Sequence, residues 1–358
     1  MERLNELYRN FTGTNPVELS LLPISGSARR YYRMTGVSTV IACLGTNVKE
    51  NNAFIAIARQ MRSKGINAPE VYGVSPDGMA YIQEDLGDCQ LFGMLKDSIG
   101  RNQYGAPEME ILRKVMRALP ALQFKTAEGF DFGICFPDTA FNRRMLNFDL
   151  NYFKYDFLKF TGLEFDEIKL QDDFDTLTDD ALSDAGNSFM YRDFQARNVM
   201  MKDGEPWFID FQGGRRGPLH YDVASFVWQA KAAYPEPLKQ RMVDAYLDAL
   251  QQYRQVDREE FLSKLRIFVL FRTLQVLGAY GFRGRIEKRA HFLESIPYAL
   301  ANLRTLLCEP FEQYPYLSQL LMKLSEEGPE PLRGENDGQL EVHVYSFSFK
   351  KGIPEDYS

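Results

Sequence analysis

The chain has 358 residues, 45% hydrophobic and 25% charged, with a net charge of −7 at neutral pH, which suits a folded protein of one two-lobed unit or two domains. The acidic balance, with no Lys/Arg run interleaved with aromatics, speaks against nucleic-acid binding. No basic start leads into an apolar run, and no stretch reads as the ~20 apolar residues of a membrane span, so a cytoplasmic location is expected.

VELSLLPI, RYYRMTG and STVIACLG group β-branched and aromatic residues between Gly, Ser and Asn, which predicts a small antiparallel sheet at the start of the protein. ENNAFIAIARQMRSKG sets Phe54, Ile55, Ala58 and Met61 at helical spacing and stops at Gly65. VYGVSPDGMAYIQEDLG predicts two strands around the Pro76-Asp77-Gly78 turn. These elements make up a first lobe, residues 1–84.

Residues 85–324 are expected to form a second, mainly helical lobe. Apolar residues recur every three or four positions in EMEILRKVMRALPALQFKT, in FNRRMLNFDLNYFKYDFLKFTG and over 238–254, 258–280, 287–308 and 312–326. In the second of these, the spacing of Phe148, Tyr152, Tyr155 and Phe160 predicts core positions in preference to stacking faces for a sugar. Only 189–211 interrupts the helices, with NVMMK and PWFIDF joined by Asp203-Gly204, a hairpin signal. SEEGPEPLRGENDG, 325–338, reads as a linker. Beyond it, Leu340, Val342 and Val344 alternate as a strand in need of partners, so 339–358 is expected to begin a further domain. The fold class is α+β and bilobal, a small β-rich N-lobe followed by a larger helical C-lobe.

His220, His291 and His343 are far apart, and Cys43, Cys89, Cys135 and Cys308 form no CxxC, which leaves little material for zinc, disulfide or triad chemistry. The carboxylates are more informative. YRDFQARN carries Asp and Asn in D-x4-N spacing, Asp193 and Asn198, and Asp210 follows twelve residues after the Asn. A short loop aims Asp193 at an acceptor hydroxyl and turns Asn198 toward a metal, and the Asp-Gly hairpin returns Asp210 beside Asn198. Oxygen donors of this kind suit Mg2+, which prefers one or two protein groups plus phosphates and water.

YRDFQARNVMM and WFIDFQGGRRGPLHYDVAS resemble the catalytic and metal-binding segments of the aminoglycoside phosphotransferase-like kinases. SGSARRYYR and EDLGD extend the likeness, which is closest to the N-acetylmuramate/N-acetylglucosamine anomeric kinases and spans about residues 20–325. The resemblance implies a protein-kinase-like fold, ATP as donor, Asp193 as catalytic base, Asn198 and Asp210 as magnesium ligands, and a small-molecule acceptor, an amino sugar. It also implies a nucleotide loop at Ser25, Gly26 and Ser27, and adenine recognition by the backbone of Gln83, Glu84 and Asp85.

Departures from the family pattern direct the remaining expectations. Tyr191 stands where the family usually has His and is expected to support the loop. VIACLG offers no lysine for the α/β-phosphates, so Arg30 or Arg33 is expected to supply that charge. Gln212 replaces the Gly of D-F-G and no A-P-E-like segment follows, which argues against a protein kinase. Glu50 and Glu84 read as solvated carboxylates when taken alone. Asp222 reads as an N-cap that props the site. Arg215 and Arg216 read as solvated surface, with acceptor contact the lesser alternative, and Arg197 is a further candidate for substrate contact or site support.

Two rivals remain at this point. A choline- or aminoglycoside-type kinase would need an acidic pocket, for which DDFDTLTDD at 172–180 is the candidate, and a non-catalytic nucleotide-sensing module would fit the missing strand lysine. VYSFSFKKGIPED near the C-terminus resembles the opening of the C-terminal domain of RapZ-type RNase adapter proteins, which implies a downstream domain in a longer protein.

Overall fold

Period-two alternation decides which face of the first-lobe sheet meets which layer. The computed structural model describes residues 1–23, 29–183 and 186–328, and its first element is a helix, α1 (Glu2–Thr12). Five antiparallel strands follow in the order β1-β2-β3-β5-β4: β1 (Glu18–Leu21), β2 (Arg30–Thr35), β3 (Val40–Leu44), β4 (Val71–Val74) and β5 (Ala80–Glu84). Val40 and Ala42 of β3 turn to one face, where Leu4, Leu7 and Tyr8 of α1 close a small apolar core over them. Cys43 turns to the other face and joins the main core, beside α2 (Val48–Ser63). Asn47 caps α2, its side chain accepting from the backbone N–H of Lys49 and Glu50.

The second lobe holds α3 (Leu91–Met94), α4 (Lys96–Arg101), α5 (Ala106–Ala127), α6 (Arg143–Asp156), α7 (Glu167–Leu182), α8 (Leu219–Val227), α9 (Glu236–Leu250), α10 (Arg258–Gly281), α11 (Ala290–Leu293), α12 (Ile296–Leu306) and α13 (Pro315–Glu327). Its strands are two short antiparallel pairs, β6 (Ser188–Met190) with β9 (Arg215–Gly217) and β7 (Val199–Lys202) with β8 (Glu205–Phe208). The β7–β8 turn uses Asp203 and Gly204, both at positive φ, as the Asp-Gly dipeptide predicts. α10 is the central helix and packs on α6, α8 and α12. Gly278 and Gly281 allow its close approach to α6, because a Cβ at Gly281 would lie 2.0 Å from the Asp156 carbonyl oxygen.

Several expectations need correction. α1 was absent from the strand-first reading of the N-terminus, although Leu4, Leu7 and Tyr8 lie at helical spacing. Phe148, Tyr155 and Phe160 are exposed, at 61%, 49% and 48%. α6 buries Met145, Leu146, Leu150 and Phe153 instead, so the aromatic stripe is not core. Arg258–Ile286 is, by length and composition, apolar enough to cross a membrane; Phe268, Val269, Phe271, Leu274 and Leu277 within it are buried in the protein core. α13 runs to Glu327, into the stretch read as a linker from 325. The expectations for Ser25, Gly26 and Ser27 and for the segment 339–358 lie outside the described residues.

Candidate active site

A cleft of about 740 Å3 opens between the lobes, lined from above by Tyr31, Arg33 and Ile41 and from below by Asp193, Asn198 and Asp210. The three residues of the sequence constellation therefore share one wall. Asp193 lies in the turn after β6, Asn198 closes a single 3-10 turn, and the β7–β8 hairpin brings Asp210 back to them. The Asn198 side-chain N–H2 donates to the Asp193 carbonyl at 2.8 Å, which leaves Oδ1 as the amide atom available to a cation. Gln212 Nε2 donates to Asp210 Oδ1 at 2.9 Å. Asp210 has φ of 65°, an uncommon conformation for a residue with a side chain.

A carboxylate and an amide oxygen are donors that Mg2+ accepts. Among the described residues no group of three or more His, Cys, Asp or Glu could hold a metal ion. The donor set thus fits a cation that takes the rest of its shell from phosphate and water, and it does not fit a closed protein cage.

Tyr191 and Asp222 hold this geometry from behind. The Tyr191 hydroxyl donates to the Ile209 carbonyl, just before Asp210, so Tyr191 ties the turn that carries Asp193 to the end of the β7–β8 hairpin. Asp222 Oδ2 accepts from the Tyr191 N–H and Oδ1 from the Arg192 N–H, both at 2.9 Å, and Oδ2 also accepts from Gln123 Nε2 at 3.2 Å. It sits within α8, whose cap is Pro218, so it braces the loop and is not an N-cap. Burial pushes the Asp222 carboxyl up to about 7, against the N–H groups of Tyr191 and Arg192 that favour its ionised form.

The sequence reading missed the principal neighbour of Asp193. Arg272, buried on α10, places Nη2 3.2 Å from Asp193 Oδ1. Burial pushes the Asp193 carboxyl up, but Arg272, Arg192, Arg197 and Arg283 outweigh it and hold the group below the ordinary carboxylate value. The balance favours the carboxylate form of Asp193, whose side chain is 44% exposed. No spacing in the chain announces Arg272, which looks like one charged residue interrupting an apolar helix; that interruption is the only signal available.

In the first lobe, Arg30 is exposed and does not line the cleft. Arg33 reaches the cleft but is committed to Asp85, at 2.6 and 3.1 Å, and to Asp88 at 2.7 Å. The buried cation is Arg29, whose Nε lies 3.6 Å from Glu50 Oε1 of α2 and whose Nη1 donates to the Tyr31 hydroxyl at 3.4 Å. Glu50 is therefore paired. Cross-strand register sets Cys43 between Tyr31 and Tyr81, and the neighbouring cleft-side position is Ile41, so β3 supplies no charge to the cleft. Gln83 lines the cleft beside Ile41, and Glu84 is tied to Lys202 at 2.6 Å.

A second cavity of about 270 Å3 adjoins Arg272 and is lined by Arg197, Lys231 and His291 together with Phe92, Trp228 and Tyr280. No carboxylate lines it among the described residues. The acidic run 172–180 lies instead on α7, where Asp173 accepts from the Leu317 N–H at 2.7 Å and Asp180 from the Tyr314 hydroxyl at 2.5 Å. Those carboxylates dock α13 and form no acceptor pocket. Arg216 is exposed, over the ring of Phe132, whereas Arg215 is 1% exposed, so the reading of Arg215 as solvated surface is overturned.

The sequence model of the phosphotransferase enzyme family, APH, matches residues 19–259. An N-acetylmuramate/N-acetylglucosamine kinase of Pseudomonas aeruginosa is 22% identical over 299 residues, covering 81% of this chain and 84% of its own. Among solved structures, a putative aminoglycoside phosphotransferase of Ralstonia eutropha superposes with a TM-score of 0.62 at 13% identity, over 92% of this chain and 99% of that one. An amicoumacin kinase solved with AMP-PNP, Ca2+ and Ami gives a TM-score of 0.60 at 11% identity, over 88% and 96%.

Proposed function

The chain belongs to the phosphotransferase enzyme family and is a small-molecule kinase, and we propose that it transfers a phosphoryl group from ATP to a hydroxyl of an amino sugar of the N-acetylmuramate/N-acetylglucosamine type. The observation that carries this reading is the convergence of Asp193, Asn198 and Asp210 on one wall of the interlobe cleft. The nucleotide would lie under β3 and β5, with Ile41 against the base and the backbone near Gln83 and Glu84 within reach of its polar edge. Asp210 and Asn198 would hold a divalent cation, Mg2+ by preference, which when bound neutralises phosphate charge.

Asp193 accepts the proton of the acceptor hydroxyl as the new O–P bond forms and the bond to the ADP oxygen breaks. Kept ionised by Arg272, it is ready for that proton, and the fixed turn supplies position more than covalent chemistry. Arg29, paired with Glu50, is the lobe-one charge nearest the role of the missing strand lysine.

The charge of the cavity beside Arg272 favours a sugar over a choline or aminoglycoside acceptor. An aminoglycoside is cationic and would face Arg197, and Lys231 paired outside the lining with Glu294 at 3.0 Å, with no carboxylate among the described lining residues to meet it, whereas Trp228 and Tyr280 offer faces on which a sugar ring stacks. Retention of all the catalytic polar groups disfavours a non-catalytic module. ADP release measured against a panel of neutral and acidic amino sugars, choline and kanamycin tests the proposal. Turnover of the sugars supports it, and turnover confined to choline or kanamycin overturns it.

A further inference from the structure

Two guanidiniums, those of Arg192 and Arg215, line the cleft together with Asp193. Arg192 precedes Asp193 and has φ of 76°. Its Nη2 donates to both carboxylate oxygens of Asp149 at 2.9 Å, while its Nη1 is buried with no hydrogen-bond partner among the described residues. Arg215, at the start of β9, donates from Nε to the Gly213 carbonyl at 3.0 Å, and its Nη1 is also buried without a partner. Asp149 is the one carboxylate hydrogen-bonded to either guanidinium among the described residues. Burial, and next the charge of Arg192, pull the Arg215 guanidinium down to about 10. Both residues line the same cleft as Asp193, and Arg283 adds a further cation there.

A buried, charged N–H with no acceptor is costly, because it has given up water and gained nothing. Two such groups lining one cleft, with Asp193 the lining carboxylate next to Arg192 in the chain and hydrogen-bonded to neither, leave two charged N–H donors that an entering anion would satisfy. The forked guanidinium matches the paired oxygens of a carboxylate or phosphate. We propose that Arg192 and Arg215 form an anion-binding subsite beside Asp193 that takes a carboxylate or phosphate group. The anion has two possible sources: a substituent of the acceptor itself, which rests on the amino-sugar reading above, or free phosphate, which does not.

The test is a calorimetric titration of inorganic phosphate into the full chain saturated with Mg2+ and AMP-PNP, so that the nucleotide phosphate sites are filled. Wild type is expected to bind phosphate and Arg215→Gln to bind it about tenfold more weakly, the loss of one charge-assisted contact. Arg215→Lys, which keeps the charge and loses the fork, should fall between them, and it serves alone if the Gln variant does not fold. Phosphate binding that is absent in wild type, or equal in wild type and variants, overturns the subsite and assigns water to the two Nη1 groups. The source is read separately, from turnover of N-acetylmuramate, which carries a carboxylate, relative to N-acetylglucosamine, which does not. A ratio lowered in Arg215→Gln assigns the anion to the acceptor, and an unchanged ratio with weakened phosphate binding assigns it to free phosphate. If neither sugar is phosphorylated, the amino-sugar reading fails while the titration still decides the subsite.

Discussion

Arg272 Nη2 lies 3.2 Å from Asp193 Oδ1, although the two residues are 79 apart in the chain. The pair joins the middle of the core helix α10 to the turn that carries the proposed base, so α10 both packs the second lobe and sets the ionisation of the site. Replacing Arg272 by Met removes the largest favourable influence on the Asp193 carboxylate. Its pKa should rise, and the acid limb of kcat/KM against pH should move to higher pH. Asp193→Asn, which keeps the shape, should lower turnover by roughly 10²–10⁴, the usual scale for a general acid–base group. An acid limb that stays in place in Arg272→Met would separate Arg272 from the ionisation of Asp193.

Asp210 and Asn198 are expected to act in the ground state as well as during transfer, as groups toward a metal-bound nucleotide do. Asp210→Ala should therefore weaken nucleotide affinity in the presence of Mg2+ and leave affinity without Mg2+ nearly unchanged. Fluorescence titration of an ATP analogue at several Mg2+ concentrations reads this directly. Equal loss at every concentration would remove Asp210 from the metal side of the site.

Arg29, not Arg30 or Arg33, is the arginine that the structure sets against Glu50. Arg29→Met should raise the KM for ATP by about tenfold, the scale of one charge-assisted contact to phosphate. Arg30→Ala should leave it unchanged, since Arg30 is exposed whereas buried Arg29 pairs with Glu50, which lines the cleft. Steady-state kinetics on the two variants distinguish the assignments, and the reverse pattern would return the role to Arg30.

Asp222 gives a pH dependence whose sign follows from its surroundings. Its carboxyl rises from 3.8 in the unfolded chain to about 7 in the fold. Between those values the unfolded state binds fewer protons than the folded state, so this group's contribution to stability falls as pH rises from about 4 to about 7. Asp222→Asn cannot titrate. The stability of wild type minus that of the variant should then decrease across this window when followed by thermal denaturation. A difference that grows with pH would mean that the N–H groups of Tyr191 and Arg192 outweigh burial.

By itself the sequence determined the five first-lobe strands, the Asp-Gly hairpin and the set of Asp193, Asn198 and Asp210, because each depends on residues near one another in the chain. The three-residue pair β6–β9 joins segments far apart and is not among them. Turn chemistry, period-two alternation and loop spacing are local properties and survive in one dimension. The N-terminal helix is equally local, with Leu4, Leu7 and Tyr8 at helical spacing, and the strand-first reading did not include it. Tertiary structure alone decided the partners. Arg272 against Asp193, Arg29 against Glu50, the burial of Arg215 and the exposure of Phe148 and Tyr155 all depend on which helix covers which face. A charge in an amphipathic pattern carries no mark of the carboxylate it will meet, because that meeting is fixed by packing between segments far apart in sequence.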